Sequence, residues 1–179
     1  MKLMNKEQIE KVILKLSQDI LKRHHNVQDL CIVGIQRRGI VLGERISKVI
    51  EKIKGEGVLI GNIDITFYRD DLSRIAYQPI ARGTHIPFSV DDVQIILVDD
   101  VLYTGRTVRA AIDSLLDLGR PQKVELAVLI DRGHRELPIQ PQYVGKKVSI
   151  SSEEMIEVKV KEIDGKEEVL LLRRNESEF

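Results

Sequence analysis

The chain has 179 residues, of which 28 are Lys or Arg and 28 are Asp or Glu, so its formal net charge is zero. Balanced charge excludes whole-molecule attraction to nucleic acid or to a membrane, so a polyanion partner would need a local basic face. The length and the hydrophobic share of 42% predict a single folded domain over residues 1–179. With no bilayer-length apolar run and no signal-peptide core, we expect a cytoplasmic protein without a membrane partner.

Hydrophobic spacing at the start of the chain predicts a helix followed by a buried strand. Asn5 can cap the helix with Gln8 in the reciprocal position, and apolar residues at helical spacing continue toward His24. A short apolar run at 30–35 predicts the strand, in which Cys31 would be a buried free thiol.

Strands and helices then alternate along the middle of the chain. The segment Arg37-Arg38-Gly39 breaks the pattern before a second amphipathic helix at 42–53. The elements predicted next are a strand over 58–68, a strand over 93–99, a helix over 108–116 and a strand over 124–130. Because parallel strands need crossover connections, this order predicts an α/β fold with an open, parallel, doubly wound sheet.

Two segments do not follow this alternation. Residues 69–88 form a polar connection that is longer than compact domains usually contain unless it is a lid or a binding loop. Near the end of the chain, 155–163 alternates apolar and charged residues, Asp164 and Gly165 signal a hairpin turn, and 167–172 returns as a partner strand.

The run IILVDDVLYTGRT at 95–107 is the most specific feature of the sequence. A strand that leads through a turn into a helix presents free backbone N–H groups, which favour an anion such as phosphate. Gly105 permits a tight cradle, and the hydroxyls of Thr104 and Thr107 can donate to phosphate oxygens. Asp99 and Asp100, at the end of the strand, can accept hydrogen bonds from a sugar diol, so the run predicts a site for ribose 5-phosphate.

Other readings of this region are weaker. The two aspartates alone could simply cap the following turn, but the complete run favours binding. The phosphate motifs GxxxxGK[ST] and GxGxxG are absent from the sequence, which argues against ATP-driven chemistry and dinucleotide binding.

The 95–107 run resembles the phosphoribosyl pyrophosphate (PRPP) binding motif of the type I phosphoribosyltransferases. Within that family, the chain is similar to bifunctional pyrimidine regulators that are also uracil phosphoribosyltransferases. The similarity extends over roughly residues 5–165, and the segments that carry it are VGIQRRGI (33–40), DITFYRDDLS (64–73) and VLIDRGHRELPI (128–139).

The resemblance implies a type I phosphoribosyltransferase fold. This is an open, mainly parallel sheet flanked by helices, with a flexible loop at about 69–88 and a C-terminal β hood contributed by about 132–172. It also implies a reaction in which uracil and PRPP give UMP and pyrophosphate. Because the motif reports PRPP and not the base, an adenine, hypoxanthine or orotate transferase without an RNA-binding role remains the alternative.

The resemblance further implies roles for individual residues. Asp99 and Asp100 would hold the ribose hydroxyls. The residues assigned to the 5-phosphate are Val101, Leu102, Tyr103, Thr104, Gly105, Arg106 and Thr107, although the larger Tyr103 and Arg106 could point elsewhere. The pyrophosphate loop would comprise Arg37, Arg38 and Gly39, where the family usually has Lys-Thr-Arg-Gly and this chain has Gln36 followed by these residues. The flexible loop would contribute Arg69, Asp70 and Asp71, and the base side Arg132 and Ile156.

Mg²⁺ is the implied cofactor, because pyrophosphate must leave with its charge neutralised. It would bind mainly through substrate phosphates, with Asp99 and Asp100 as candidate ligands. The histidines His24, His25 and His134 are not at metal-binding spacing, and we expect surface or loop positions for them. A simpler role for Arg132 would be an ion pair with Asp131.

The resemblance also implies a regulatory role. UMP or UTP in the same site would increase affinity for the leader mRNA of the pyrimidine (pyr) operon, and the protein would be a homo-oligomer, a dimer or higher. The cations proposed to contact RNA are Lys15, Lys22, Arg23, Lys146 and Lys147. In the stretch after Val144, this chain reads KVSISSEE where relatives tend to have NVPTS and a basic residue.

Overall fold

The computed structural model describes residues 1–66 and 83–173. The helices are α1 (Lys6–Arg23), α2 (Arg38–Lys54), α3 (Arg106–Leu118) and the short α4 (Lys161–Asp164). The strands are β1 (Lys2–Met4), β2 (Leu30–Ile35), β3 (Leu59–Ile63), β4 (Gln94–Leu102), β5 (Lys123–Asp131), β6 (Tyr143–Lys147), β7 (Glu154–Lys159) and β8 (Glu168–Arg173). In these two ranges, no helix is both long and apolar enough to cross a membrane.

Five strands build the main sheet in the order β3-β2-β4-β5-β6, and all of the neighbouring pairs are parallel. The predicted open parallel α/β sheet is therefore confirmed. The chain leaves β2 toward β3 on one side and returns to β4 on the other, so the strand order reverses between β2 and β4. In open α/β sheets, ligands bind outside the carboxyl ends of the strands at this kind of reversal.

Each face of the sheet carries its own core. Ile32 and Ile96 belong to the core that contains the buried faces of α1 and α2, whereas Val33 and Leu97 belong to the core on the α3 side. Successive strand residues point to opposite faces, which explains this division. Cys31 is buried as predicted, and burial raises the pKa of its thiol to about 11.

The predicted starts and ends of α1 and β2 agree closely with the structure. α1 begins after Asn5, whose side chain accepts a hydrogen bond from the Gln8 backbone while the Gln8 side chain accepts one from the Asn5 backbone. β2 spans the predicted residues. The break at Arg37 is shorter than expected, because Arg38 and Gly39 already lie in the first turn of α2.

A second, antiparallel sheet has the order β1-β8-β7, and α4 connects β7 to β8. The β7 and β8 pair was predicted, but the strand expected to reach residue 163 ends at Lys159, because residues 161–164 turn into α4. β1 was not predicted. We expected residues 132–172 to build the hood, yet β6 within that range pairs in parallel with β5 and extends the main sheet.

The strand predicted over 58–68 ends earlier, at Ile63. Strand pairing stops before Asp64, which makes other hydrogen bonds. Its carboxylate accepts one from the Thr66 backbone at 3.0 Å, and its own backbone N–H donates to the Thr84 hydroxyl at 3.0 Å. Such local side-chain bonds compete with strand pairing. Residues 67 and 68 of the predicted strand lie outside the described ranges.

Gly39 allows α2 to approach the central strand. We expect Gly39→Ala to lower the free energy of unfolding by about 2 kcal/mol or more, because a Cβ there would lie 2.4 Å from the Val98 carbonyl oxygen. Urea denaturation measures this change. Gly57→Ala is the matched control, since its nearest neighbour atom would be 3.9 Å away. Similar unfolding free energies for the two variants would contradict the assigned contact.

His24 was expected on the surface or in a loop, and this is wrong. Its side chain is buried at the end of α1, where Nε2 lies 2.6 Å from Glu125 Oε2. The Tyr143 hydroxyl donates to the same Glu125 oxygen at 2.7 Å. Burial alone would raise the pKa of Glu125, but hydrogen bonds from Lys123, Tyr143 and His24 lower it to about 2. The sequence could not show this cluster, because α1, β5 and β6 meet only in the fold.

Glu125 should make stability depend on pH. Its folded pKa of about 2 lies below its ordinary value of 4.5, so its contribution is complete above pH 4.5 and is lost as pH falls through 2. The shift corresponds to roughly 3 kcal/mol. Urea denaturation from pH 7 to pH 3 should show Glu125→Gln less stable at pH 7, with a difference from the wild type that narrows in acid. A difference that is constant over this range would contradict the assignment.

Candidate active site

The candidate site lies at the reversal of strand order, where the carboxyl ends of β2 and β4 are adjacent. β2 leads through Gln36 and Arg37 into α2, and β4 leads through residues 103–105 into α3. The N-termini of both helices therefore lie at the same edge of the sheet. Neither helix has an acidic residue in its first turn or, among the described residues, a side chain bonded to it as an N-cap. This edge therefore offers two sets of backbone N–H groups to anions.

The two aspartates lie inside β4, which extends to Leu102 and not to residue 99 as predicted. The usual alternation of faces is interrupted here, since Val98 and Val101 both pack on the α1 and α2 side of the sheet. Each carboxylate accepts a hydrogen bond from the next backbone N–H: Asp99 from Asp100 at 2.9 Å, and Asp100 from Val101 at 2.8 Å. The strand itself therefore fixes both side chains.

The environments of the two carboxylates differ. Asp99 is only 6% exposed, whereas Asp100 is partly exposed. Burial, followed by the adjacent charge of Asp100, raises the pKa of the Asp99 carboxyl well above its usual value. Because Asp100 is the more accessible carboxylate of the pair, it is the better placed to accept hydrogen bonds from a sugar diol.

The candidate anion cradle includes residues 103–107, where the chain turns from β4 into α3. Gly105 has φ of +93°, which glycine adopts without strain, and it forms the N-cap of α3. The Thr104 hydroxyl oxygen accepts a hydrogen bond from the Arg106 backbone at 3.3 Å, so its hydrogen stays available to donate. Thr107 lies in the first turn of α3. The Arg106 side chain donates from Nε to Glu136 Oε2 at 2.7 Å. Leu102, which we assigned to the phosphate, has its side chain in the α3-side core.

The predicted pyrophosphate loop lies beside this cradle. Gln36 is held by a hydrogen bond from its backbone to the Ile63 carbonyl at 2.9 Å, and the Gln36–Arg37 peptide bond is cis. Arg37 is exposed at the N-cap of α2. Arg38 is half-buried, and its guanidinium makes two hydrogen bonds to Asp164 of α4.

Arg132, predicted for the base side, is 5% exposed at the end of β5. Its guanidinium lies 3.8 Å from the centre of the Tyr103 ring, and Nη2 donates to the Ser151 carbonyl at 3.4 Å. Tyr103 thus supports Arg132 from the end of β4. The suggested partner Asp131 instead has a 2.6 Å ion pair with Arg135. Ile156 of β7, the other residue proposed for the base side, has its side chain buried in the core that contains the buried faces of α1 and α2.

Arg135 organises the edge of the site, although it was not among the predicted site residues. Besides its pair with Asp131, its guanidinium donates to the Tyr103 carbonyl at 2.9 Å and to the Ile139 carbonyl at 3.0 Å. It therefore ties the end of β4 to the end of β5 and to the chain that follows. The signal was its place in DRGHREL directly after a buried strand, but the run of charges resembled a solvated loop.

The remaining predicted residues are those of the flexible loop and those proposed to contact RNA. Arg69, Asp70 and Asp71 fall outside the described ranges. Of the cations proposed for RNA, Lys15, Lys22 and Arg23 lie on α1, whereas Lys146 and Lys147 lie on β6. These elements are adjacent, since Lys15 Nζ donates to the Val144 carbonyl at 3.3 Å. Lys15 and Lys22 also pair with Asp19, at 3.0 and 2.8 Å.

Metal binding by protein groups alone has little support in the part of the chain that the structure describes, where no cluster of three His, Cys, Asp or Glu residues could hold an ion. The carboxylates of Asp99 and Asp100 still offer oxygen donors of the kind that Mg²⁺ prefers. They fit an ion whose remaining ligands come from substrate phosphates and water.

Comparison with known proteins identifies the fold and the family. The family described as Phosphoribosyl transferase domain matches residues 2–163. Hypoxanthine phosphoribosyltransferase structures from Staphylococcus aureus and Trypanosoma cruzi share the fold. The first has a TM-score of 0.72 at 20% identity and covers 94% of this chain and 90% of the other. The second has a TM-score of 0.72 at 13% identity and covers 97% of both chains.

Curated relatives are much more similar. "Bifunctional protein PyrR" of Pelotomaculum thermopropionicum is 50% identical over 174 residues, which are 97% of this chain and 96% of the relative. The protein of the same name from Clostridioides difficile is 51% identical and covers 94% and 96%. That from Acetivibrio thermocellus is 53% identical and covers 91% and 89%. The chain therefore belongs to the phosphoribosyltransferase family and, within it, to the PyrR proteins.

Proposed function

We propose that the protein transfers the phosphoribosyl group of PRPP to uracil, giving UMP and pyrophosphate, and that nucleotide in this site controls binding to the leader mRNA of the pyrimidine operon. The observation that carries the transferase proposal concerns the N-termini of α2 and α3, neither of which has an N-cap side-chain hydrogen bond. Both lie at the sheet edge that carries the Asp99 and Asp100 pair. This edge offers places for the 5-phosphate and for the pyrophosphate of PRPP, with the ribose between them. The PyrR relatives support the regulatory half by their name, and uracil comes from the sequence resemblance.

The residues would divide the substrate as follows. Backbone N–H groups at the start of α3, with the Thr104 and Thr107 hydroxyls, would bind the 5-phosphate. Asp100 would accept hydrogen bonds from the ribose hydroxyls. The start of α2, with Arg37 and Arg38, would hold the pyrophosphate group. Displacement at the anomeric carbon develops positive charge on the ribose, which the nearby carboxylates stabilise.

Mg²⁺ would supply charge neutralisation for the departing pyrophosphate, held by its oxygens and by Asp99 or Asp100. Arg132 would face the base from the end of β5, with Tyr103 fixing the plane of its guanidinium. A base bound by Arg132 would already be oriented toward the anomeric carbon before the reaction, which lowers the entropic part of the barrier.

The transferase proposal is tested with radiolabelled bases, PRPP and Mg²⁺. Uracil should give UMP, whereas hypoxanthine, adenine and orotate should give at most traces of nucleotide. Product from a purine or from orotate at a rate equal to that with uracil would replace uracil as the substrate. Failure of every base would remove the transferase proposal.

The RNA proposal concerns the face formed by α1 and β6. Lys22, Lys146 and Lys147 lie on this face, although Asp19 offsets part of the α1 charge. A homo-oligomer in the cytoplasm would present more than one copy of the face to a folded RNA. Filter binding to pyr leader RNA should strengthen with UMP or UTP and weaken steeply with added salt. An RNA affinity that changes neither with nucleotide nor with salt concentration would contradict the regulatory half of the proposal and leave the transferase half intact.

A further inference from the structure

The side chain of Arg38, assigned to pyrophosphate, is already engaged by an acidic residue of the second sheet region. Its Nε donates to Asp164 Oδ2 at 3.1 Å and its Nη2 donates to Asp164 Oδ1 at 2.8 Å. The two side chains are 32% and 16% exposed, so the pair is only partly screened by water. Two parallel hydrogen bonds from one guanidinium to one carboxylate also fix its direction.

We propose that Asp164 competes with the pyrophosphate group for Arg38 and thereby sets the affinity of the site for ligands that carry a diphosphate. This inference rests on the proposed function, in which the start of α2 receives pyrophosphate. The geometry supports competition because the carboxylate occupies two guanidinium edges that a phosphate would use in the same bidentate way.

The electrostatic surroundings agree with this competition. The hydrogen bond with Asp164 raises the pKa of Arg38, and the same bond lowers the pKa of Asp164. Asp100 and Glu157 also attract the Arg38 charge. Arg38 therefore lies among carboxylates between the ribose site and the second sheet. A diphosphate that binds Arg38 must replace the Asp164 carboxylate, which already neutralises the arginine's charge.

A second contact keeps α4 in place independently of Arg38. Arg45, two turns further along α2, donates to both carboxylate oxygens of Glu162 and to both of Glu167. Since these bonds do not involve Arg38 or Asp164, release of Arg38 need not detach α4. Asp164 Oδ2 also accepts a hydrogen bond from the Val160 backbone at 2.8 Å, which an asparagine oxygen can retain. Asp164→Asn therefore removes the competing charge with little change in the backbone.

Calorimetric binding of inorganic pyrophosphate with Mg²⁺ tests the proposal. We expect Asp164→Asn to bind pyrophosphate about fivefold more tightly than the wild type, in the range of a partly exposed ion pair. UMP, which lacks a diphosphate, should bind both proteins with the same affinity. In steady-state assays, the KM for PRPP should fall while kcat changes less.

Two further variants separate competition from a structural effect. Glu162→Gln weakens the hold on α4 without touching Arg38, and it should leave pyrophosphate affinity unchanged. In an Arg38→Gln background, Asp164→Asn should no longer change pyrophosphate affinity, because the shared group is gone.

Each outcome has a distinct meaning. Equal or weaker pyrophosphate binding by Asp164→Asn overturns the competition, and so does a parallel change in UMP affinity. An effect of Glu162→Gln equal to that of Asp164→Asn also overturns it, because it indicates a structural role. If the wild type forms UMP and binds pyrophosphate, such results leave the transferase proposal intact, whereas a wild type that does neither removes both proposals.

Discussion

Replacement of Asp100 by asparagine is expected to reduce kcat/KM for UMP formation by about a hundredfold or more. Asp100 is the partly exposed member of the carboxylate pair, and its orientation is fixed by the hydrogen bond from the Val101 backbone. Two charge-assisted hydrogen bonds to a ribose diol contribute roughly 3 kcal/mol or more, and each 1.4 kcal/mol is a factor of ten in rate. Initial rates with radiolabelled uracil at limiting PRPP measure the effect.

Asp99→Asn is the comparison variant, since it changes the adjacent carboxylate in the same way. We expect a smaller loss, because Asp99 is only 6% exposed and is therefore less accessible to a ribose hydroxyl than Asp100. Thr107→Ala, at the start of α3, should cost about tenfold by removing one donor to the 5-phosphate. UMP formation that survives both Asp100→Asn and Thr107→Ala unchanged would show that ribose 5-phosphate binds elsewhere.

Arg135→Met is expected to cause the largest loss of stability, about 3 kcal/mol or more. The substitution leaves the nearly buried Asp131 carboxylate without its 2.6 Å guanidinium partner and removes the donor to the Tyr103 carbonyl. Removal of one member of a buried ion pair is costly because the remaining charge stays desolvated. Urea denaturation with an unchanged m-value gives the free-energy difference.

Arg109→Met is the control for this variant, because the Arg109 and Asp113 pair on α3 is 42% and 46% exposed and should contribute less than about 1 kcal/mol. If Arg135→Met does not fold, Arg135→Lys is the variant to measure. Lysine keeps the positive charge but cannot donate to all of the acceptors that the guanidinium reaches, so we expect this variant to fold and to bind PRPP with reduced affinity. Wild-type stability in Arg135→Met would refute its role in tying β4 to β5.

The sequence was sufficient wherever local signals and burial agreed. The capping box at Asn5 and the apolar run of β2 predicted those elements closely, because each depends on residues within one or two turns. The PRPP motif was recognisable for the same reason: strand, Gly105 and helix start are contiguous. What failed depended on partners distant in sequence.

β6 illustrates that failure. A Cβ on Gly145 would lie 2.4 Å from the Leu129 carbonyl, so its glycine reflects the approach of another strand and not a local turn. β1 is three residues long and exists through its pairing with β8. The bond between Arg38 and Asp164 joins residues 126 positions apart, and the spacing of charges along the chain carries no sign of it.

The position of Asp99 and Asp100 inside β4 has a thermodynamic consequence. The strand is paired with β5 on to Leu102 opposite Asp131, so the backbone that carries both carboxylates is ordered before any ligand arrives. Fixing a mobile backbone residue costs about 1–2 kcal/mol in conformational entropy. Binding of the ribose at this strand avoids that cost, and more of the interaction free energy remains for distinguishing the transition state from the substrate.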